Sequence, residues 1–326
     1  MPSLLKISLW GLLLLGMHHL ALADPASANR LGGPLSFAER SEAMQLLSAD
    51  DEWFERIGPV QLSALHPAPQ GVPKQEIGRL FQQIAQECTN DQKQRWTEAF
   101  SAAWAKIAPL QLNWPERMVL ICTNGQDAPE SPYTRKNFVV LPESLHQDGY
   151  SDLEIAAHEL FHIYSRHNPK RQDALYALFN FKPAPEFAWP QEWDLLRVSN
   201  PDAPRNKHVI SLSLDGQRLN VMPILVASRL PQHGQDNLFE VIDLRLVPVS
   251  SNTKRPGSHA LRQDGQLRWV DAGVNTAYWE ATGRNTQYLL HPEEIAADNF
   301  AFLISGRKVA NPALLEKLSA FLQQRK

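Results

Sequence analysis

Apolar positions recur three and four apart in several stretches of the chain and every second residue around 207–250, which predicts both helices and a sheet. Ser36 and Glu39 have the spacing of a capping box, predicting a helix to about Leu47. Pro73 marks the start of a helix to about Gln86. Thr89 with Gln92 opens another, to about Ile107, in which Trp96, Phe100 and Trp104 form a core stripe. Residues 36–108 are therefore predicted to be mainly helical. The apolar runs Met118–Cys122 and Asn137–Leu141 read as strands. Ser151 with Glu154 opens a long helix that stops at Asn168-Pro169, because proline cannot continue it. A shorter helix from Pro169 to about Phe179 and a loop over Pro183–Pro190 follow.

Beyond about residue 205 the pattern changes. β-Branched residues surround Asp215-Gly216, a hairpin signal, and Phe239–Val249 alternates apolar with polar. A second Asp-Gly pair, Asp264-Gly265, lies within Gln263–Val270, so a small antiparallel sheet is predicted. Helical signals return with Pro292 as a first helical position, Gly306 as a stop and Asn311-Pro312 opening a last helix. The fold class is α+β: a helical region over 24–110, then a part over 111–326 with a β-rich insertion at about 205–272.

Of the 326 residues, 43% are hydrophobic and 21% charged, the balance of a folded chain rather than a disordered one. A net charge of -3 gives no electrostatic ground for nucleic-acid binding. The one strongly apolar block is N-terminal: Lys6, the run Ile7–Leu15, then Ala21-Leu22-Ala23 before Asp24. That order predicts a signal peptide over 1–23, hence a periplasmic or secreted protein with no stable membrane insertion. In an exported chain the two cysteines, Cys88 and Cys122, are expected to form a disulfide. Small basic spots at Arg166 and Lys170-Arg171 read as solvated surface.

The chemistry is concentrated in His158-Glu159-Leu160-Phe161-His162, an H-E-x-x-H motif on the helix opened by Ser151. Residues four apart share a helix face, so both imidazoles can reach one zinc ion. Glu159, about 100° round the helix, is free to act as a general base on a zinc-activated water. A catalytic zinc takes three protein ligands. His167 lies off the ligand face, and Ser165 and Asn168 stand where a metzincin needs Gly and His. Glu186 and Glu192 fall in a predicted loop. The strongest third ligand is Glu294, with Asp298 four residues on to orient a ligand imidazole; Glu293 is its rival, but its spacing to Asp298 breaks the shared face.

His158–His162 followed by Glu294-x-x-x-Asp298 resembles the gluzincin metallopeptidases. That resemblance implies a zincin-like catalytic part holding one Zn²⁺ on His158, His162 and Glu294, with Glu159 as catalytic base and Asp298 supporting a histidine. The implied activity is hydrolysis of peptide bonds in a peptide or protein substrate, cell-wall peptides included. The strand near Phe138–Leu141 resembles the edge strand along which such enzymes lay an extended substrate. Tyr288 and His291 are candidate transition-state donors, ahead of Tyr278 and Arg135. The competing expectation is a non-catalytic, zinc-stabilised binding or chaperone-like envelope protein, for which Glu159 would have no use.

Overall fold

The runs 118–123 and 138–142 are apolar at nearly every position, the pattern of strands covered on both faces, and both faces are covered. The computed structural model describes residues 33–128, 130–145, 149–252, 255–273 and 275–324; the predicted signal segment 1–23 lies outside them. A first sheet contains β1 (Leu35–Phe37), β2 (Ala85–Gln86), β3 (Met118–Thr123), β4 (Tyr133–Arg135) and β5 (Phe138–Pro142). A second contains β6 (Phe181–Pro183), β7 (Phe187–Ala188), β8 (His208–Leu214), β9 (Gln217–Ala227), β10 (Ile242–Asn252) and β11 (Arg255–Ala260). β12 (Arg262–Gln263) and β13 (Gln266–Leu267) form a separate hairpin, and β14 (Val270–Asp271) pairs with β10. The helices are α1 (Arg40–Ser48), α2 (Pro59–Leu62), α3 (Lys74–Gln83), α4 (Asn90–Ile107), α5 (Asp152–His167), α6 (Gln172–Ala177), α7 (Thr276–Ala281), α8 (Pro292–Ser305) and α9 (Pro312–Gln323). The chain is α+β. Among the described residues no helix is long and apolar enough to cross a membrane.

Successive residues of a strand point to opposite faces, and β3 and β5 use both. Met118, Leu120, Val139 and Leu141 pack in one core with residues of α4, α5 and α8; Val119, Ile121, Phe138 and Val140 pack in another with residues of α1 and α3. The first sheet is thus the middle layer between two sets of helices. β1 and β5 flank β3 in parallel, β2 pairs antiparallel with the end of β3, and β4 pairs antiparallel with β5.

This order corrects the edge-strand expectation. The strand over 138–141 is interior, paired on both sides, and β4 is the outer strand. The stretch expected to be helical also gives β1 and β2 to the sheet. Ser36 is therefore no cap: it lies in β1, and α1 starts at Arg40 with no side-chain cap. The helix after Pro73 ends at Gln83, because Ala85 and Gln86 pair with β3. The helix expected after Pro169 is one 3₁₀ turn followed by α6. Phe187 and Ala188, expected in a loop, pair with β11, and the strand expected from Phe239 begins at Ile242 after a 3₁₀ turn.

The capping boxes at Thr89 and Ser151 form as the sequence predicts. In the β8–β9 hairpin, Asp215 and Gly216 take positive φ of 49° and 75°, the left-handed pair that matches strand twist in a two-residue turn. Cys88 and Cys122 are joined by a disulfide, with Cα atoms 5.2 Å apart, tying the approach to α4 to β3.

Candidate metal centre

The site is built where α5 and α8 pack side by side. Contacts pair Glu154 with Ser305, His158 with Asp298 and His162 with Glu293, so the helices run antiparallel. α5 starts at its Ser151–Glu154 box, and α8 starts with Pro292 after His291 as N-cap, whose Nδ1 accepts from the Glu293 N–H. Glu154 links the two beyond the site: it also accepts from Arg307 Nε and NH2, both at 2.6 Å.

Three ligand atoms converge between the helices. Glu294 Oε2 lies 3.1 Å from His158 Nε2 and 3.4 Å from His162 Nε2. Each imidazole has its other nitrogen on a carboxylate: His158 Nδ1 on Asp298 Oδ1 at 2.9 Å, His162 Nδ1 on Glu293 Oε1 at 3.0 Å. An imidazole that donates from Nδ1 to a carboxylate turns an Nε2 lone pair toward the centre. His162 Nε2 is buried with no hydrogen-bond partner, as a ligand atom would be. The His158–His162–Glu294 group can hold a metal ion.

The carboxylates are themselves anchored. Asp298 Oδ2 accepts from Tyr150 OH at 2.6 Å and from the Thr286 hydroxyl. Glu293 Oε2 accepts from Ser165 Oγ at 2.7 Å and Tyr176 OH at 2.5 Å. Glu294 Oε1 accepts from Asn200 Nδ2 at 2.5 Å, leaving Oε2 to face the imidazoles.

Two imidazoles among three buried carboxylates make a centre that attracts positive charge. Burial works against a charged His158, but the hydrogen bonds its ring donates to Asp298 and Glu294 outweigh it and carry its pKa to about 10. His162 is likewise raised against its burial, chiefly by the charges of Glu294 and Asp202. Glu294 is held well below the usual carboxylate range by the histidines, despite burial. Glu159 behaves differently. It is buried, its Oε2 has no hydrogen-bond partner, and burial followed by the Asp202 charge pushes its pKa up to about 8. Its unpartnered Oε2 is an oxygen free to take or release a proton.

Other sequence candidates fall elsewhere. Tyr288 is at the site, its ring centroid 6.0 Å from that of His158. His291 is not available as a donor to a reacting group: its Nδ1 caps α8 and its Nε2 meets the Arg205 carbonyl. Tyr278 donates to the Leu289 carbonyl. Arg135 is buried, paired with Asp51 at 2.6 Å, and donates to the Leu47 and Ala49 carbonyls at the end of α1. Glu186 pairs with Arg56 and Arg205, and Glu192 with Arg262. Arg166 is no solvated spot: it donates to Thr134 Oγ1 and to the carbonyls of Pro201 and Asp202.

Sequence reasoning weighed Glu293 only as a rival third ligand, not as the acid that orients His162, and missed Asn200 and Asp202. Glu293 carried a signal, an acid beside Glu294 on a helix expected to face two imidazoles. Asn200 and Asp202 carried none, since they come from a non-repetitive segment before β8 that crosses the site as a strap. Comparison with protein-family models, curated proteins and solved structures gives no match for this chain.

Proposed function

We propose that the protein is a zinc-dependent peptidase of gluzincin type, exported from the cytoplasm, that hydrolyses peptide bonds in a zincin-like site. One observation carries the reading: two imidazole Nε2 atoms and one carboxylate oxygen converge, while both Nδ1 atoms are engaged by carboxylates. Two imidazoles and one carboxylate are the donor set of catalytic zinc sites that keep a coordination position open. His158, His162 and Glu294 would hold the ion. When bound, zinc supplies a Lewis acid that polarises a carbonyl and brings the pKa of water near 7.

The chain's own residues do the rest. Asp298 and Glu293 fix the two rings, and Asn200 fixes Glu294. Glu159 takes a proton from the attacking water on its unpartnered Oε2 and returns it to the leaving amine. The C–N bond breaks, and one water is consumed per bond. Tyr288, whose ring lies beside that of His158, would donate to the oxygen that gains charge.

Glu159 also separates this reading from a zinc-stabilised binding protein. In zinc-loaded full chain incubated with a mixed peptide pool, Glu159→Gln should keep its zinc and lose turnover by about 10²–10⁴-fold. Equal turnover by variant and wild type, or no turnover by either, overturns the proposal.

A further inference from the structure

The centre between α5 and α8 is shut. His162, Glu294 and Glu159 are 0%, 1% and 3% exposed, and Glu159 Oε2 and His162 Nε2 are sealed from solvent. A carbonyl to be attacked must come within about 3–3.5 Å of the attacking atom, and a peptide cannot bring one to atoms so covered. The strap is part of the cover. Asn200 Nδ2 donates to Glu294 Oε1 at 2.5 Å, and Asn200 Oδ1 accepts from the Asp202 N–H at 3.0 Å. Asp202 Oδ1 in turn accepts from the backbone N–H and hydroxyl of Thr134, the middle residue of β4, at 2.6 and 2.8 Å. The Thr134 carbonyl accepts from Arg166 at 3.4 Å, and Arg166 also donates to the Asp202 carbonyl at 3.1 Å. The strap thus closes on a metal ligand and on the outer edge of the first sheet together.

What holds the strap is polar. Its ends are fixed by backbone: the Val198 N–H donates to the Leu225 carbonyl in β9, and the Asn206 and Lys207 carbonyls accept from Phe187 and Ala184. Between those ends, none of residues 199–205 is buried. In place of core contacts, Trp53 Nε1 and Gln61 Nε2 donate to the Ser199 carbonyl at 2.9 and 2.6 Å, and Gln61 Oε1 accepts from the Ser199 N–H at 3.3 Å. Arg205 pairs with Glu52 and Glu186. Contacts of this kind exchange for contacts with water at small net cost. Cavities of ≈ 430, ≈ 320 and ≈ 70 Å³ border the strap, so it has room to shift without displacing a packed core. A segment with few buried apolar contacts belongs to the part of a fold that opens first.

We propose that residues 199–205 are an autoinhibitory latch: they hold the metal centre closed, and they swing away between the fixed ends at Val198 and Asn206 to expose it. The proposal rests on the peptidase reading above for what the open site does; the closure itself rests on burial and on the polar contacts of the strap. Resting activity is then set by the fraction of molecules that are open, and loosening the latch raises it.

The test loosens the latch and reads the opening without using activity. The chain's two cysteines are bridged, so Glu159→Cys supplies the one free thiol, behind the strap. In full-length protein dialysed against zinc, a small maleimide should label position 159 slowly. Gln61→Ala, which removes the clamp on Ser199, should speed that labelling about three- to tenfold, the worth of a lost hydrogen bond. Arg205→Ala, at an exposed position, is the second release variant should the first not fold. A thiol placed instead in the sheet core by Val140→Cys should label no faster in either variant. Labelling at position 159 that is already fast in the unreleased chain, that is unchanged on release, or that rises no more than labelling at position 140 overturns the proposal. With Glu159 intact, release should speed turnover of a mixed peptide pool by the same factor. Faster labelling on release with no turnover by any form keeps the latch and removes the peptidase; turnover with labelling unchanged on release removes the latch and keeps the peptidase.

Discussion

Glu293 faces His162 Nδ1 at 3.0 Å, while its neighbour Glu294 faces Nε2 of the same ring at 3.4 Å. Adjacent side chains on α8 thus grip one imidazole from both sides. The geometry follows from helix rise: His158 and His162 are about 6 Å apart along α5, and Glu293 and Asp298 about 7.5 Å along α8, so each ring meets its own acid. Glu293→Gln should weaken zinc binding by about 10–100-fold without abolishing it, as loss of an orienting carboxylate does. Competition against a chromophoric chelator reads this; an unchanged affinity would show that Glu293 does not support the ligand.

The strap over β4 is held by Arg166 and Asp202. Arg166→Met removes donors to Thr134 and to the Pro201 and Asp202 carbonyls. The backbone N–H of Thr134 should then exchange with solvent faster, while that of Leu120 in β3 should not change. Hydrogen exchange followed by mass spectrometry tests this, and equal protection of both segments in wild type and variant would count against the strap as described.

Glu154 joins the start of α5 to the end of α8. Burial acts to raise its pKa, but hydrogen bonds from Arg307, Ser151 and Ser305 outweigh it, and the net shift is downward. A carboxylate lowered in the folded state gives its full stabilisation above its unfolded pKa, near 4.3, and loses it as pH falls through the lower native value. Glu154→Gln should cost about 1–3 kcal/mol at pH 7. In denaturant titrations the gap between wild type and variant should close below about pH 4. A gap that stays constant to pH 3 would contradict this account.

The Cys88–Cys122 bridge closes a loop of 34 residues in sequence separation. In the chain-entropy model a loop of that size is worth about 3–4 kcal/mol. Cys88→Ala with Cys122→Ala should lower unfolding stability by that amount and leave zinc stoichiometry unchanged, since neither cysteine belongs to the metal group. Loss of zinc in the double variant would show that the bridge is needed to hold the site.

What could be read from the residues was local. The Ser151–Glu154 box, the four-residue spacing of His158 and His162, and that of Glu294 and Asp298 each follow from one helix's geometry, and each is present. The Asp215-Gly216 turn is local in the same sense. Long-range partners were not legible: Asn200 reaches Glu294 across 94 residues, with nothing in its neighbourhood to announce it. Two departures from the expected pattern do carry a local signal. Phe138-Val139-Val140-Leu141 is apolar at both parities, the mark of a strand covered on two faces rather than an edge. Ser36 sits between Leu35 and Phe37, both buried, so a short alternation competes there with the cap pattern.

The most direct measurement is the metal content of purified full-length protein, set beside Glu294→Ala, by elemental mass spectrometry after dialysis against micromolar zinc. The account predicts about one zinc per chain in the wild type and a large loss in the variant, because three ligands become two. A wild type that retains no zinc, or a Glu294→Ala protein that retains all of it, would contradict it.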